Sequence, residues 1–575
     1  MSYLFDHCIS LTSVNFGIIN TINVKNIGWM FRGCKSLVSV DLSVFNIAPL
    51  LSMRIMFGEC SSLVSVDLSN LDTSRVNDFG FLFYECSILT SIKFFKDTSS
   101  AILMDCMFVR CTSLTSLDLS YFSTSKVANM DKMFKQCSSL LYLNISSFDT
   151  SNVENMIGMF EACSSLTSLN IKNFNTTKVQ RMDYMFNGCS ALNNLDITNF
   201  DTSNVINMSL MFGQCEKLAN LDLSNFNTEK VDDMGWMFYS CKNLVSLDIS
   251  NFKTSSVKFF KYMFIDCSSL ASLDLSYFFT TNAIDMTNMF ARCYNLAYLN
   301  ISNFDTSKVT DLSYMFAICS SLISLDLKNF NTSSAINMTK MFEGCFSLNY
   351  LDISNFNTIN VIKMDSMFFQ CISLTSLVLN NFDFSSVTDM NNMFIYCNNL
   401  KLINFKNAII NDDVNINNIL SQTSTNLILC SENSQTLNKL VSSFQIKMVN
   451  CSGAWGEFIE KISNQADNIC INDRLLSKLQ QEQSCYQICS YYFYFNKTTN
   501  KYECTDDYIC PSDYPKFIMD KKECSSSCQE NKEYIYEYNN LCFKKCPEHF
   551  ELRDDKPYFC FPKCPKDFPF LLIEA

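Results

Sequence analysis

CSSLTSLNIKNFNTTKVQRMDYMFNG, residues 163–188, holds in 26 positions the plan of most of this chain. Leu166, Leu169 and Ile171 read as a short strand, because Leu169 and Ile171 alternate with the polar Asn170 and so give one inward and one outward face. Val179, Met182, Met185, Phe186 and Cys189 follow at spacings of 3, 3, 1 and 3, the stripe of a helical or 3-10 turn. Between them, Asn175-Thr176-Thr177 offers side chains that bond nearby backbone N–H groups, so it turns the chain and caps the helical part. Phe174 stands at the corner.

Working outward from this copy, cysteines recur at Cys8, Cys34, Cys60 and Cys86, then from Cys111 to Cys397, always 26 apart except for a gap of 25 between Cys86 and Cys111. Phe stands three residues before each of these sixteen cysteines, and Leu three residues after. Met stands four before in fourteen copies, with Leu4 and Leu82 in the other two. A 26-residue unit cannot bury its own apolar face, so stacked units must cover one another. The fold class expected is therefore a leucine-rich-repeat-like solenoid. Each 26-residue coil has a short parallel strand and a short helical or 3-10 turn, and there are about 16 coils. At about 4.8 Å per coil the rod is roughly 75 Å long. The copy from Cys86 to Cys111 is the weakest, with Phe94-Phe95-Lys96 in place of the LDLS segment, and is expected to kink or loop out.

The run LDLSNFNTEKVDDMGWMFYSC, Leu221 to Cys241, resembles the repeat of BspA-like leucine-rich-repeat surface proteins, the type also found in mycoplasma lipoproteins and protist surface antigens. The likeness covers roughly residues 1–410. It implies a solenoid, surface display and adhesion or partner binding, and it brings no enzymatic activity.

Composition removes several function classes. The net charge of -13 opposes nucleic acid, which needs clustered Lys and Arg, and opposes a polybasic grip on lipid. The only histidines are His7 and His549, and Gly is scarce at 12, which leaves little for His-based acid/base chemistry or Gly-rich phosphate loops. No Walker loop, GxSxG or HExxH occurs, so the expectation is no enzyme, no cofactor and no metal. No run of 18 apolar residues occurs, and Met1 is followed by no signal-like segment.

Two features of the array invite a site. The outward strand position seven residues after the cysteine carries Asp41, Asp67, Asp118, Asp196, Asp222, Asp248, Asp274, Asp326 and Asp352. Stacked, these make an acidic stripe that either binds a basic partner or divalent cations, or is a solvated ladder bonded to Ser, Thr and Asn neighbours. Close like charges predict that some carboxylates along it have raised pKa values or partner donors. The in-line cysteines are read as small buried hydrophobes, since neighbouring coils hold them slightly too far apart for disulfides. Cys106 is out of register. Sequons at Asn144, Asn175, Asn207, Asn300, Asn331, Asn337, Asn450 and Asn496 matter only if the chain is secreted.

The register fades after Cys397. The domains expected are a solenoid at 1–410, a cap and linker at 411–480, and a cysteine-rich disulfide module at 481–575. The module carries Cys485, Cys489, Cys504, Cys510, Cys524, Cys528, Cys542, Cys546, Cys560 and Cys564, with CxxxC four times; disulfides fit better than zinc, whose usual signature is CxxC. It is similar to furin-like, growth-factor-receptor-type modules, and its connectivity stays open. Disulfides need an oxidising compartment, so a signal peptide upstream and a membrane anchor downstream are expected outside this chain. The function expected is a surface or secreted recognition protein that binds a protein or glycan through the solenoid face. The alternative is an intracellular interaction scaffold with a zinc-bound tail.

Overall fold

In the computed structural model the described residues are 1–431, apart from 46–47, 411–412 and 426, and beyond them the backbone of strands between 447 and 562. The chain divides into two compact units, Met1–Val449 and Asn450–Ala575. The first is a β-solenoid of about 14 regular coils with little helix. Its short strands lie parallel and one repeat apart: Ser65–Asp67 on Ser91–Lys93, Ser116–Asp118 on Tyr142–Asn144, and Ser272–Asp274 on Tyr298–Asn300. A second ladder of single parallel bridges runs without a break from Asn26 through Ser52 and Asp78 to Asn415. The ends depart from the sixteen expected copies. In the first coil Phe5, Leu11, Val14 and Phe16 are only partly buried against the core. In the last, Leu420 and Thr423 stand where Phe and Cys stood, yet Leu402–Asn404 still pairs in register with Ile428–Ser431.

The expected helical turn is absent. Among the described residues the one helix is the three-residue 3-10 turn Ser43–Phe45. Residues 182–189 instead alternate two kinds of hydrogen bond. Met185, Asn187 and Cys189 donate their N–H groups three residues back, to the carbonyls of Met182, Tyr184 and Phe186. Tyr184, Phe186 and Gly188 donate theirs to Ser209, Met211 and Gly213 of the next coil. Half of the N–H groups thus leave for the neighbour, which no α-helix permits. Tyr184 and Gly188 have φ of 61° and 75°, and the positions five and one before the repeat cysteine are left-handed in every coil. The 3, 3, 1, 3 spacing comes from these i to i+3 turns.

The interior is built of unbroken files. Phe rings stack from Phe5 to Phe394, one per coil, at 5.4 Å for the first pair and 5.8 Å between Phe186 and Phe212. The cysteines are buried, except Cys8, and free. From Cys34 on, each register thiol also donates to a carbonyl: Cys189 Sγ to Phe160 O at 3.1 Å, Cys215 Sγ to Phe186 O at 3.2 Å, and so on to Cys397. The small-hydrophobe reading therefore missed a donor role. The corner threonines form a third file. Thr228 is fully buried, gives its hydroxyl to Lys253 O at 3.0 Å and accepts Lys253 N–H at 2.8 Å.

The 25-residue copy neither kinks nor loops out. The missing residue falls between Lys93, still in register with Asp67, and Asp97, and the corner absorbs it. Phe95 is fully buried, and Phe94 packs edge-on against Phe108 and Phe122. The bridge from Asp78 to Leu103 carries the ladder through.

In the second unit four antiparallel hairpins line up in one eight-stranded sheet: 493–496 with 501–504, 516–518 with 523–525, 536–538 with 541–543, and 550–553 with 556–562. Neighbouring hairpins meet through parallel pairs such as Phe493 with Glu523. Cys504, Cys524, Cys542 and Cys560 each lie in the return strand of a hairpin. The side chains of all ten candidate disulfide cysteines lie outside the described residues.

Thr228→Val should lower the unfolding free energy by about 1–3 kcal/mol, because it strands a buried N–H and a carbonyl of Lys253. Thr228→Ser keeps both bonds and should cost about 1 kcal/mol, for one methyl group. Urea unfolding of the full chain checks both.

Candidate functional site

Of the surfaces on the solenoid, the strand face was the predicted site. All nine aspartates are on it, and all are used locally. Each accepts through Oδ1 the N–H two residues on: Asp41 from Ser43 at 2.9 Å, Asp118 from Ser120 at 3.0 Å, Asp222 from Ser224 at 2.9 Å, Asp248 from Ser250 at 3.0 Å, Asp274 from Ser276 at 2.9 Å, and Asp352 from Ser354 at 3.0 Å. Asp67 and Asp196 also accept the hydroxyls of Ser69 and Thr198, and Asp326 accepts Lys328 N–H. This is the Asx turn that ends each strand. Lys93 pairs with Asp67 at 3.1 Å and Lys172 with Asp196 at 3.2 Å.

Of the two electrostatic expectations, the aspartates follow the second and have partner donors. Five of the nine carboxylates are shifted downward. The Ser69 hydroxyl and N–H hold Asp67 down at about 2, and the same donors, two residues on, lower Asp41, Asp118, Asp196 and Asp222. Exposure screens the repulsion between neighbours, while each hydrogen bond favours the charged form. The stripe is also interrupted: Lys93 sits in register beside Asp67, and only Asp196, Asp222, Asp248 and Asp274 occupy four consecutive coils.

A second acidic row was not anticipated. It lies six or eight residues before the cysteines, beside the bridge ladder, and is partly buried. Arg54 reaches across two coils there, bonding Asp78 at 3.1 Å and Asp105 at 3.0 Å. Gly80 makes room, since a Cβ at that position would lie 2.2 Å from the guanidinium. Burial raises the carboxyls of Asp131 and Asp233. The same turn carries exposed-edge aromatics: Trp236 and Tyr262 stack at 4.9 Å, with Lys261 Nζ 4.8 Å from the Trp236 ring. Tyr262 and Tyr314 pack on a small apolar cluster of Ile265, Ala291 and Ala317, outside the main core. Regular counting from the cysteine would have found both rows.

The array cysteines are chemically quiet. Burial pushes Cys137, Cys189, Cys241, Cys293, Cys345 and Cys397 up to about 12. Cys106, in a left-handed turn beside Asp105, is also pushed up to about 12 by burial. Cys430, beyond the register cysteines, is disulfide-bonded. Among the described residues no group of three acidic, Cys or His side chains is placed to hold a metal ion, and no helix is long and apolar enough to cross a membrane.

The family described as "Mycoplasma protein of unknown function, DUF285" matches residues 1–116, 102–220, 190–298 and 284–405. No curated protein is similar enough to match. Two solved structures are similar in part. One is the pneumococcal vaccine antigen PcpA, at 10% identity over 68% of this chain and 77% of that chain, with a TM-score of 0.19. The other is the functional domain of InlJ from Listeria monocytogenes, described as including a cysteine ladder, at 14% identity over 67% and 74%, with a TM-score of 0.13. Superpositions this loose carry no inference about function.

Two outcomes are expected. Asp248→Asn keeps the Asx acceptor and should leave the melting curve unmoved, whereas Asp248→Ala should cost about 1 kcal/mol. For the cysteines the sign follows from the raised folded-state pKa. An unfolded thiol titrates near ~8.5, so the unfolded chain releases protons that the folded chain keeps. Stability should be constant below about pH 8 and fall as pH rises toward 12. Urea midpoints from pH 7 to pH 11 test this, and iodoacetamide on the folded chain should label Cys8 and spare Cys34 to Cys397.

Proposed function

The chain belongs to the DUF285 family of repeat proteins, and on that premise we propose that it is a non-enzymatic recognition protein, carried on the cell surface or secreted, that binds a protein or glycan partner with the outer faces of its solenoid. The observation that carries this reading is a division of labour within the repeat. The residues that recur in nearly every coil, Phe, Met, Cys, Leu and the corner Thr, are buried. The outward positions vary from coil to coil, so the array is a fixed rod that displays a changing set of side chains. A long, rigid surface of that kind suits recognition. The finer reading, a BspA-like surface protein whose cysteine-rich tail is a furin-like disulfide module, draws on the repeat consensus and on the four hairpins that each place a cysteine in the return strand. The disulfide at Cys430 supports an oxidising compartment.

An antibody against the solenoid should stain intact cells of the source organism, or detect the chain in their medium, and protease added outside should remove the signal. Staining that needs permeabilised cells would overturn the reading.

A further inference from the structure

A groove of about 420 Å³ runs along the solenoid where the turn meets the strand, across five consecutive coils. Its floor is a file of hydroxyls, one per coil, from Ser61 through Thr112 to Ser164. Its wall is Glu85, Arg110 and Gln136. We propose that this groove is a binding site for a neutral, extended oligosaccharide lying parallel to the solenoid axis.

The lining chemistry selects that ligand. Arg110 bonds Glu85 at 2.6 Å and gives its Nε–H to Gln136 Oε1 at 2.8 Å, so the one guanidinium in the wall is already neutralised. That disfavours phosphate or sulfate, which needs unpaired positive charge. Ala162 is the single apolar side chain in the lining, which disfavours an apolar peptide. What remains is a dense set of neutral donors and acceptors. The floor hydroxyls donate one coil back, Thr112 to Ser87 O at 3.0 Å and Ser164 to Ser138 O at 3.2 Å, and so present lone pairs outward. Gln136, with its oxygen taken by Arg110, keeps two amide N–H donors to offer. A polyhydroxylated ligand answers both.

The spacing fits as well. Five coils at about 4.8 Å place the end hydroxyls roughly 19 Å apart. An extended β-linked hexose chain advances by close to one coil per sugar, so each sugar meets an equivalent hydroxyl. Glu85, Arg110 and Gln136 have φ of 59°, 59° and 60°, at the position where other coils carry Gly33, Gly188 and Gly344. Side chains at that position are free to vary, as Glu59, Gln214, Ile318 and Tyr396 show in other coils, so folding does not dictate this set.

This inference rests on the recognition reading above. Cellotetraose and chitotetraose, with maltotetraose as the curved comparison, are titrated into the full chain by calorimetry and saturation-transfer NMR. The two β-linked probes should bind saturably and maltotetraose more weakly. The double variant Arg110→Gly, Gln136→Gly places glycine at left-handed positions, so it should melt no lower than the parent and yet bind about tenfold or more weakly. Absence of saturable binding by both β-linked probes, equal binding by the variant, or binding of inorganic phosphate in their place would overturn the site. Stained intact cells with no bound probe would sink this inference alone, whereas staining confined to permeabilised cells would sink the recognition reading.

Discussion

The N–H of one phenylalanine per coil decides the rest of the structure. Phe186 N–H reaches Met211 O at 2.9 Å, and the same bond recurs from Phe5 to Phe394. To send that proton along the rod, not back into its own turn, the chain must flip into left-handed conformation on either side, at Tyr184 and Gly188 in this coil. The phenylalanine carbonyl is then left in the interior with two lone pairs to satisfy. One takes the N–H of the cysteine three residues on, as Phe186 O takes Cys189 N–H at 3.1 Å. The other takes the thiol of the next coil, as Phe186 O takes Cys215 Sγ at 3.2 Å. Phe-x-x-Cys recurs because each half answers the other. The ring fills the core, its peptide carries the ladder, and cysteine is a small side chain that is apolar enough to bury and still a donor.

That arrangement explains why the same plan tolerates so many outer residues. Left-handed backbone ordinarily excludes bulky and β-branched side chains, yet Ile55, Trp236 and Ile318 all adopt it here, at φ of 57°, 56° and 59°. Each is held on one side by a turn bond and on the other by a bond to the next coil. Tyr314, for example, gives its N–H to Thr339 and accepts Ala317 N–H. Strain of about 1–2 kcal/mol per residue is absorbed by a lattice of contacts that would have to break together. The outward side chain is thereby uncoupled from the fold, which is the condition for a surface that varies while the rod stays constant.

Much of this was legible in the sequence. The period, the inward set and the corner phenylalanines follow from the cysteine register, and beyond the first coil the structure buries nearly all of them. The helical turn was misread because apolar spacing reports which side chains face in, and says nothing about where the N–H groups go. A chain of i to i+3 turns and a helix share that signature at Val179 to Cys189. For the strand aspartates, counting charges along the face left repulsion and a ladder bonded to neighbours both open, and the serine two residues after Asp67, Asp118 or Asp222 decides for the ladder by supplying the donors that lower the pKa. Thr228 and its equivalents were taken as turn formers, and their bond to the next coil is invisible without the neighbour. The Arg54–Asp105 contact joins residues 51 apart in the sequence, which no local pattern encodes.

What distinguishes the faces of the rod is therefore the fate of their polar groups. On the strand face each aspartate is committed to closing its own turn, and the lysines of adjacent coils, Lys93 and Lys172, take up further charge. On the ladder face Arg54 and the half-buried aspartates bind coils to one another. Along the groove from Ser61 to Ser164 the hydroxyls close no turn but bond one coil back, and the wall side chains bond one another beside open space. A repeat protein spends most of its polar groups on staying stacked. The side chains that hold coils together and still face an open groove are where a partner's chemistry is best sought.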